Sequence, residues 1–331
     1  RCTMSRTLIV GGTGFIGSFV TRACLDAARP TFLLVRPFSV QKPFVAHCRD
    51  MGAVVIPGVI SDQALMEKIL DDYKIECVVS LVGGANILDQ IALVKAIRAV
   101  RHVKRFLPSE FGHDIDRADP VEPGLTMYNE KRTVRRFVEE CGVPYTYICC
   151  NSIAAWPYHN NTHPSEIPPP LDRFVIYGDG TVRAYFVDGT DIGRLTERTL
   201  DDGRTVNKTV HFQPAANMLN LNEMATLWEM KIGKKLPRVI MTEDDLLTGA
   251  REYPIPKSIV AAITHDIFIR GCQIYELDDE KDVDVSLLYP EVSFKSVDEC
   301  FENVIKDNPL IVAVPKQSVP TANQETVILA A

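Results

Sequence analysis

Apolar and amphipathic stretches alternate along the first 150 residues. Residues 7–10 (Thr-Leu-Ile-Val), 31–35 (Thr-Phe-Leu-Leu-Val) and 53–56 (Ala-Val-Val-Ile) are apolar on consecutive positions. That is the pattern of short strands buried on both faces. Between them, 18–25 and 63–73 carry apolar residues at helical spacing, and Asp62 stands where an N-cap belongs. The alternation continues as a strand at 77–82, a helix at 87–100, a strand at 105–107, a helix at 122–140 and a strand at 145–150. Repeated βα units predict an α/β fold with a doubly wound parallel sheet of Rossmann type, ligands lying at the strand C-termini.

After Asn151 the pattern breaks. Residues 157–172 hold Pro157, Pro164, Pro168, Pro169 and Pro170, with His163 among them, which no helix tolerates. This segment is expected to wall a smaller α/β substrate lobe. Residues 185–188 and 192–195 are expected to return to the sheet, and 221–232 and 243–249 to be helices of the lobe. The division that follows is a dinucleotide-binding domain over 4–156 with a return segment at 183–213. The substrate lobe takes 157–182 and 214–310, and a loosely ordered tail takes 311–331.

The turn after the first strand reads Gly11-Gly12-Thr13-Gly14-Phe15-Ile16-Gly17. Glycines at such spacing permit a tight turn, let backbone approach a pyrophosphate and let helix pack on strand, with the helix N-terminus facing the phosphates. Following a strand and opening a helix, the motif predicts a dinucleotide site, with Gly83-Gly84 closing another strand beside it. The second strand ends on Arg36, followed by Lys42, where an NAD-binding chain would place a carboxylate. A guanidinium there favours a 2′-phosphate, so the expected cofactor is NADPH.

Composition narrows the class. In 331 residues the net charge is −7, which gives no basic field for nucleic acid. The nine cysteines form no CxxC pair, so free thiols in a reducing compartment are expected rather than disulfides, zinc or another metal. No apolar run approaches the roughly 18 residues of a membrane span, and a soluble cytoplasmic protein is expected.

The chemistry concentrates at Arg105-Phe106-Leu107-Pro108-Ser109-Glu110-Phe111-Gly112-His113-Asp114 and at Met127-Tyr128-Asn129-Glu130-Lys131. His113 stands just past a strand C-terminus, and Lys131 follows Tyr128 by three, so the Tyr-x-x-x-Lys pair of common short-chain dehydrogenases is absent. Partial burial and neighbouring positive charge would lower the Lys131 pKa and make it a base. Arg132 and Arg136 are expected on a solvated face.

Gly11 to Gly17, Arg36, Lys131 and Arg135 resemble the plant isoflavone-reductase-like family, an atypical short-chain dehydrogenase group of NmrA type that includes pinoresinol–lariciresinol and phenylcoumaran benzylic ether reductases. Residues 105–114 (RFLPSEFGHD), 148–151 (ICCN) and 264–269 (THDIFI) resemble the branch that acts on flavan-3,4-diols. The resemblance runs from about residue 5 to residue 305. It implies that NADPH reduces a flavan-3,4-diol at C4, through a quinone methide, to a 2,3-trans-flavan-3-ol of proanthocyanidin biosynthesis. It also implies that Lys131 is the catalytic base and His113 a second acid–base residue. Arg36 would hold the 2′-phosphate, Lys42, Arg135 and Asn151 would be further cofactor contacts, and Gly112, Met127 and Tyr128 would contact the flavonoid. The chemistry agrees with these residue types: removing a proton from a phenol of pKa about 10 expels the C4 hydroxyl and leaves an electrophile for hydride. The alternatives are a sister benzylic ether or isoflavone reductase and a non-catalytic NmrA-like NADPH sensor.

Overall fold

The computed structural model describes residues 4–154, 171–278 and 280–307. Most of the proline-rich segment and the tail from residue 308 lie outside these. The dinucleotide-binding half follows the alternation of the sequence: β1 (Thr7–Val10), α1 (Phe15–Asp26), β2 (Thr31–Val35), α2 (Pro43–Asp50), β3 (Val54–Pro57), α3 (Gln63–Asp72), β4 (Cys77–Ser80), α4 (Gln90–Val100), β5 (Arg105–Leu107), α5 (Gly124–Glu140) and β6 (Thr146–Cys149). β3-β2-β1-β4-β5 form one sheet, parallel throughout. A parallel bridge, Phe106 to Tyr145, carries the order on to β6. The result is the doubly wound order 3-2-1-4-5-6, with two apolar clusters, around Ile9 and Leu33 and around Leu8 and Phe106, on its two faces. Asp62 caps α3 as expected, its carboxylate accepting from the Leu65 amide at 2.9 Å.

α1 begins at Phe15, three residues before the apolar periodicity suggests. Its N-cap, Gly14, has no side chain with which to cap, so the first amides of the helix stay available to a ligand.

The second half is built on β7 (Ser152–Ile153), β8 (Phe174–Tyr177), β9 (Arg183–Val187), α6 (Gly189–Thr199), β10 (Lys208–His211), β11 (Met218–Asn220), α7 (Leu221–Ile232), β12 (Arg238–Met241), α8 (Glu243–Glu252), α9 (Lys257–Phe268), β13 (Asp282–Asp284), α10 (Val285–Leu288) and α11 (Val297–Asp307). β6, β10 and β13 pair in parallel, whereas β9 lies between β7 and β11, and β8 pairs with β12. Capping boxes, Asn220 with Glu223 and Thr242 with Asp245, start α7 and α8 where the pattern placed helices. Trp228 of α7 meets Phe301 of α11 edge-on at 5.3 Å in the lobe's own core.

Two segments depart from expectation. Residues 185–187 lie in β9, which pairs with β7 and β11 rather than returning to the main sheet. Residues 192–195 do not return to a sheet; they lie in α6, which Asp188 caps by accepting from the Thr190 amide. The apolar residues Ile192 and Leu195 bury against α1, and a Cβ on Gly193 would stand 2.4 Å from the Phe19 carbonyl. Gly193 lets the two helices touch.

Candidate functional site

Two concavities flank the N-terminal turn of α1. The first, of about 360 Å³, is lined by Gly11, Thr13 and Gly14, by Arg36 and Lys42 and, on its far side, by Gly83. Its glycines are required by close approach. Gly11 has φ +74° and a Cβ there would lie 2.5 Å from the Leu81 carbonyl, while one on Gly17 would lie 2.1 Å from the Gly11 carbonyl. A backbone cradle at a helix N-terminus, open to two cations, fits a dinucleotide bearing an extra phosphate. Gly12 and Gly17 are buried beneath the cradle, and Phe15 packs edge-on against Phe19.

The second concavity, of about 310 Å³, lies where β5 and β6 end against the lobe, and Ile16 of the first turn of α1 is on its wall. One wall is the 110–113 loop. Phe111 takes φ +42° and its amide bonds the Ile148 carbonyl at 3.0 Å, while the Asn151 amide bonds the Gly112 carbonyl at 2.9 Å. The loop is thereby stapled to the end of β6. Met127, Tyr128 and Lys131 enter from α5, at positions one turn apart on a single face.

Lys131 Nζ donates to the Glu110 carbonyl at 2.8 Å. Burial and then the nearby Arg135 hold its pKa down, against the pull of Glu110. The buried His113 ring shares a hydrogen bond through Nε2 with the Tyr128 hydroxyl. Burial, followed by the Lys131 charge, pushes His113 down to about 4, and burial pushes Tyr128 well up. At neutral pH the site therefore presents an uncharged imidazole, an intact phenol and an amine disposed to lose its proton.

Asn151, at φ +59°, donates its amide nitrogen to the Phe212 carbonyl at 2.9 Å, and its buried Oδ1 has no partner among the described residues. It lines the second concavity and not the glycine groove. Gly112, His113, Met127, Tyr128 and Lys131 line that same space, whereas Arg36 and Lys42 line the groove.

Two expectations need correction. Arg135 does not reach the groove: its side chain is 2% exposed, chelates Glu110 through Nε and Nη2, and bonds Asp114 at 2.8 Å. A guanidinium so engaged has no donor to spare for a cofactor. Arg132 is not solvated; it is half-buried and donates to the carbonyls of Ile115 and Ala118. Arg136 is on the surface, paired with Asp116 and Glu139.

Sequence reasoning missed the apolar wall facing Lys131, which includes Tyr177, Phe186, Met224 and Ile263. A signal existed for part of it: Thr264, Ile267 and Phe268 line the cavity at i, i+3, i+4 on α9, inside the 264–269 segment.

A doubly wound sheet with a glycine cradle and a lysine–histidine cavity at its strand ends defines a dinucleotide-dependent reductase. The chain belongs to the NmrA-like family, whose model matches residues 3–301. It is 58% identical over 307 residues to the leucoanthocyanidin reductase of Desmodium uncinatum, covering 92% of this chain and 80% of that one. It is 40% identical over 300 residues to a phenylcoumaran benzylic ether reductase of Ginkgo biloba, covering 89% and 97%. Among solved structures, the leucoanthocyanidin reductase–NADPH complex of Vitis vinifera superposes with a TM-score of 0.86 at 59% identity, covering 91% of this chain and 99% of that one.

Proposed function

We propose that this protein is an NADPH-dependent reductase that converts flavan-3,4-diols, the leucoanthocyanidins, to 2,3-trans-flavan-3-ols in the cytoplasm. The observation that carries the reading is Lys131 and His113 facing one largely apolar cavity, with Ile16 of the first turn of α1 on its wall and Gly14, which caps that helix, on the wall of the glycine groove. The comparisons support the choice of substrate, since identity is 58% to a leucoanthocyanidin reductase and 40% to a benzylic ether reductase.

Bound NADPH supplies hydride to C4. Gly11, Gly14 and the first turn of α1 would hold its pyrophosphate, and Arg36, with Lys42, would hold its 2′-phosphate. Lys131 removes a proton from a ring phenol, and electron density pushed through the ring expels the C4 hydroxyl. Because His113 rests uncharged, it stores no proton and acts as a relay. It passes a proton to the departing hydroxyl, which leaves as water, and the ammonium just formed on Lys131 is the source. The quinone methide that remains accepts hydride at C4, and its phenolate takes a proton from solvent. The Oδ1 of Asn151 can accept a hydrogen bond from a substrate hydroxyl or from the cofactor amide.

The test is NADPH consumption by the purified chain with a flavan-3,4-diol, with chromatographic identification of the product. Formation of a 2,3-trans-flavan-3-ol is expected. Cofactor binding without turnover would make the chain a sensor, and turnover only with a phenylcoumaran or an isoflavone would make it a sister enzyme.

A further inference from the structure

Glu110 is held from two sides by one helix. Its carbonyl accepts from Lys131 Nζ at 2.8 Å, and its carboxylate is chelated by Arg135 at 3.0 Å and 2.9 Å. Lys131 and Arg135 are four residues apart on α5 and so share a face. The carboxylate of Glu110 is 2% exposed, and with both oxygens taken by Arg135 it makes no bond to the lysine amine beside it. The amine is left with a neutral acceptor.

We propose that Arg135 is a positioning residue that diverts the Glu110 carboxylate from Lys131 and thereby keeps the amine in its proton-accepting form. The inference rests on Lys131 being the base. A free carboxylate at that site would bond the ammonium and hold the proton on it, and a carbonyl oxygen does so far less. The guanidinium is fixed for the task. It lies 4.5 Å from the Tyr147 ring centroid, and its remaining donors bond Asp114 at 2.8 Å and Asp116 at 3.0 Å.

The other groups around Lys131 are consistent with this role. Cys149 and Cys150, on the β6 side, are pushed up by burial, the latter to about 12, and stay uncharged thiols. His113, from the same loop as Glu110, is neutral at pH 7. Glu110 is thus the carboxylate and Arg135 the cation that decide the charge seen by the amine.

The experiment measures the acid limb of kcat/KM against pH. Beside it, the pH dependence of Lys131 acetylation by trace acetic anhydride in the full-length chain reads the amine without relying on turnover. Arg135→Gln should move both midpoints to higher pH by about one unit, an approximately tenfold loss of neutral amine below the midpoint. Glu110→Gln should move both to lower pH. It keeps an oxygen for Arg135, whose charge Asp114 and Asp116 still balance, so it folds even where Arg135→Gln does not. Arg135→Lys, retaining the charge but not the two-pronged bond, should fall between Arg135→Gln and wild type. Unchanged midpoints in the folded variants, or shifts in one common direction, would overturn the proposal and leave Arg135 as a structural ion pair. If acetylation shifts as expected while Lys131→Ala retains turnover, the clamp stands and the base assignment fails.

Discussion

Replacing His113 by asparagine is expected to flatten the acid side of the protein's stability curve. The buried ring titrates at about 4 in the folded chain, against an ordinary value of 6.5. Its folded pKa is the lower one, so between those values the unfolded chain binds a proton that the native chain does not. Stability is then lost as pH falls. At about 1.4 kcal/mol per pH unit, the loss traceable to His113 is about 2 kcal/mol near pH 5 and about 3 kcal/mol near pH 4. Asp266, whose carboxyl is raised by burial, contributes in the opposite sense in the same range, but it does so in both proteins. The measurement is urea unfolding of the wild type and of His113→Asn under reducing conditions, from neutral pH to about pH 4, comparing free energies at each pH. The wild-type advantage should shrink steadily below pH 6.5. A difference independent of pH would show that the ring is charged, or solvated, in the folded protein, and the relay role would lose its basis.

Lys131→Ala should fold and bind NADPH but lose at least about a hundredfold in turnover, the scale of a general base; retention of a tenth of the rate, roughly, would remove the assignment. Arg36→Glu should reverse the preference between NADPH and NADH in direct binding, because a carboxylate repels a 2′-phosphate and accepts from ribose hydroxyls; an unchanged ratio would mark Arg36 as a surface charge. Gly17→Ala places a methyl 2.1 Å from the Gly11 carbonyl, so the cradle must open. A loss of about 1–3 kcal/mol in stability and at least about tenfold in NADPH affinity should follow, and wild-type affinity would show the turn to be pliable.

The sheet and its cradle were legible because their causes are local. The four consecutive apolar residues at 32–35 bury as a strand buried on both faces must, and Asp62 caps the helix whose start it marks. Gly11 and Gly17 announce a turn that a Cβ would block. Lys131 and His113 stood out as candidates by residue type and place, and the fold brings both to one cavity. Tertiary contacts decided the rest. Residues 192–195 resembled a strand until α1 supplied the surface against which Gly193 packs. Arg135 looked like a cofactor ligand on a basic helix face, yet Glu110, Asp114 and Asp116 all reach it from the loop after β5. The apolar wall is drawn from separate segments downstream of Lys131, from Tyr177 and Phe186 to the α9 face that holds Thr264, Ile267 and Phe268. Periodicity and turn chemistry are written in neighbouring residues, so the sequence by itself determined most of the elements, the cradle and the residue types gathered at the candidate site. Burial and charge pairing depend on which distant segments meet, so only the tertiary structure decided that His113 is neutral and that Arg135 serves Glu110.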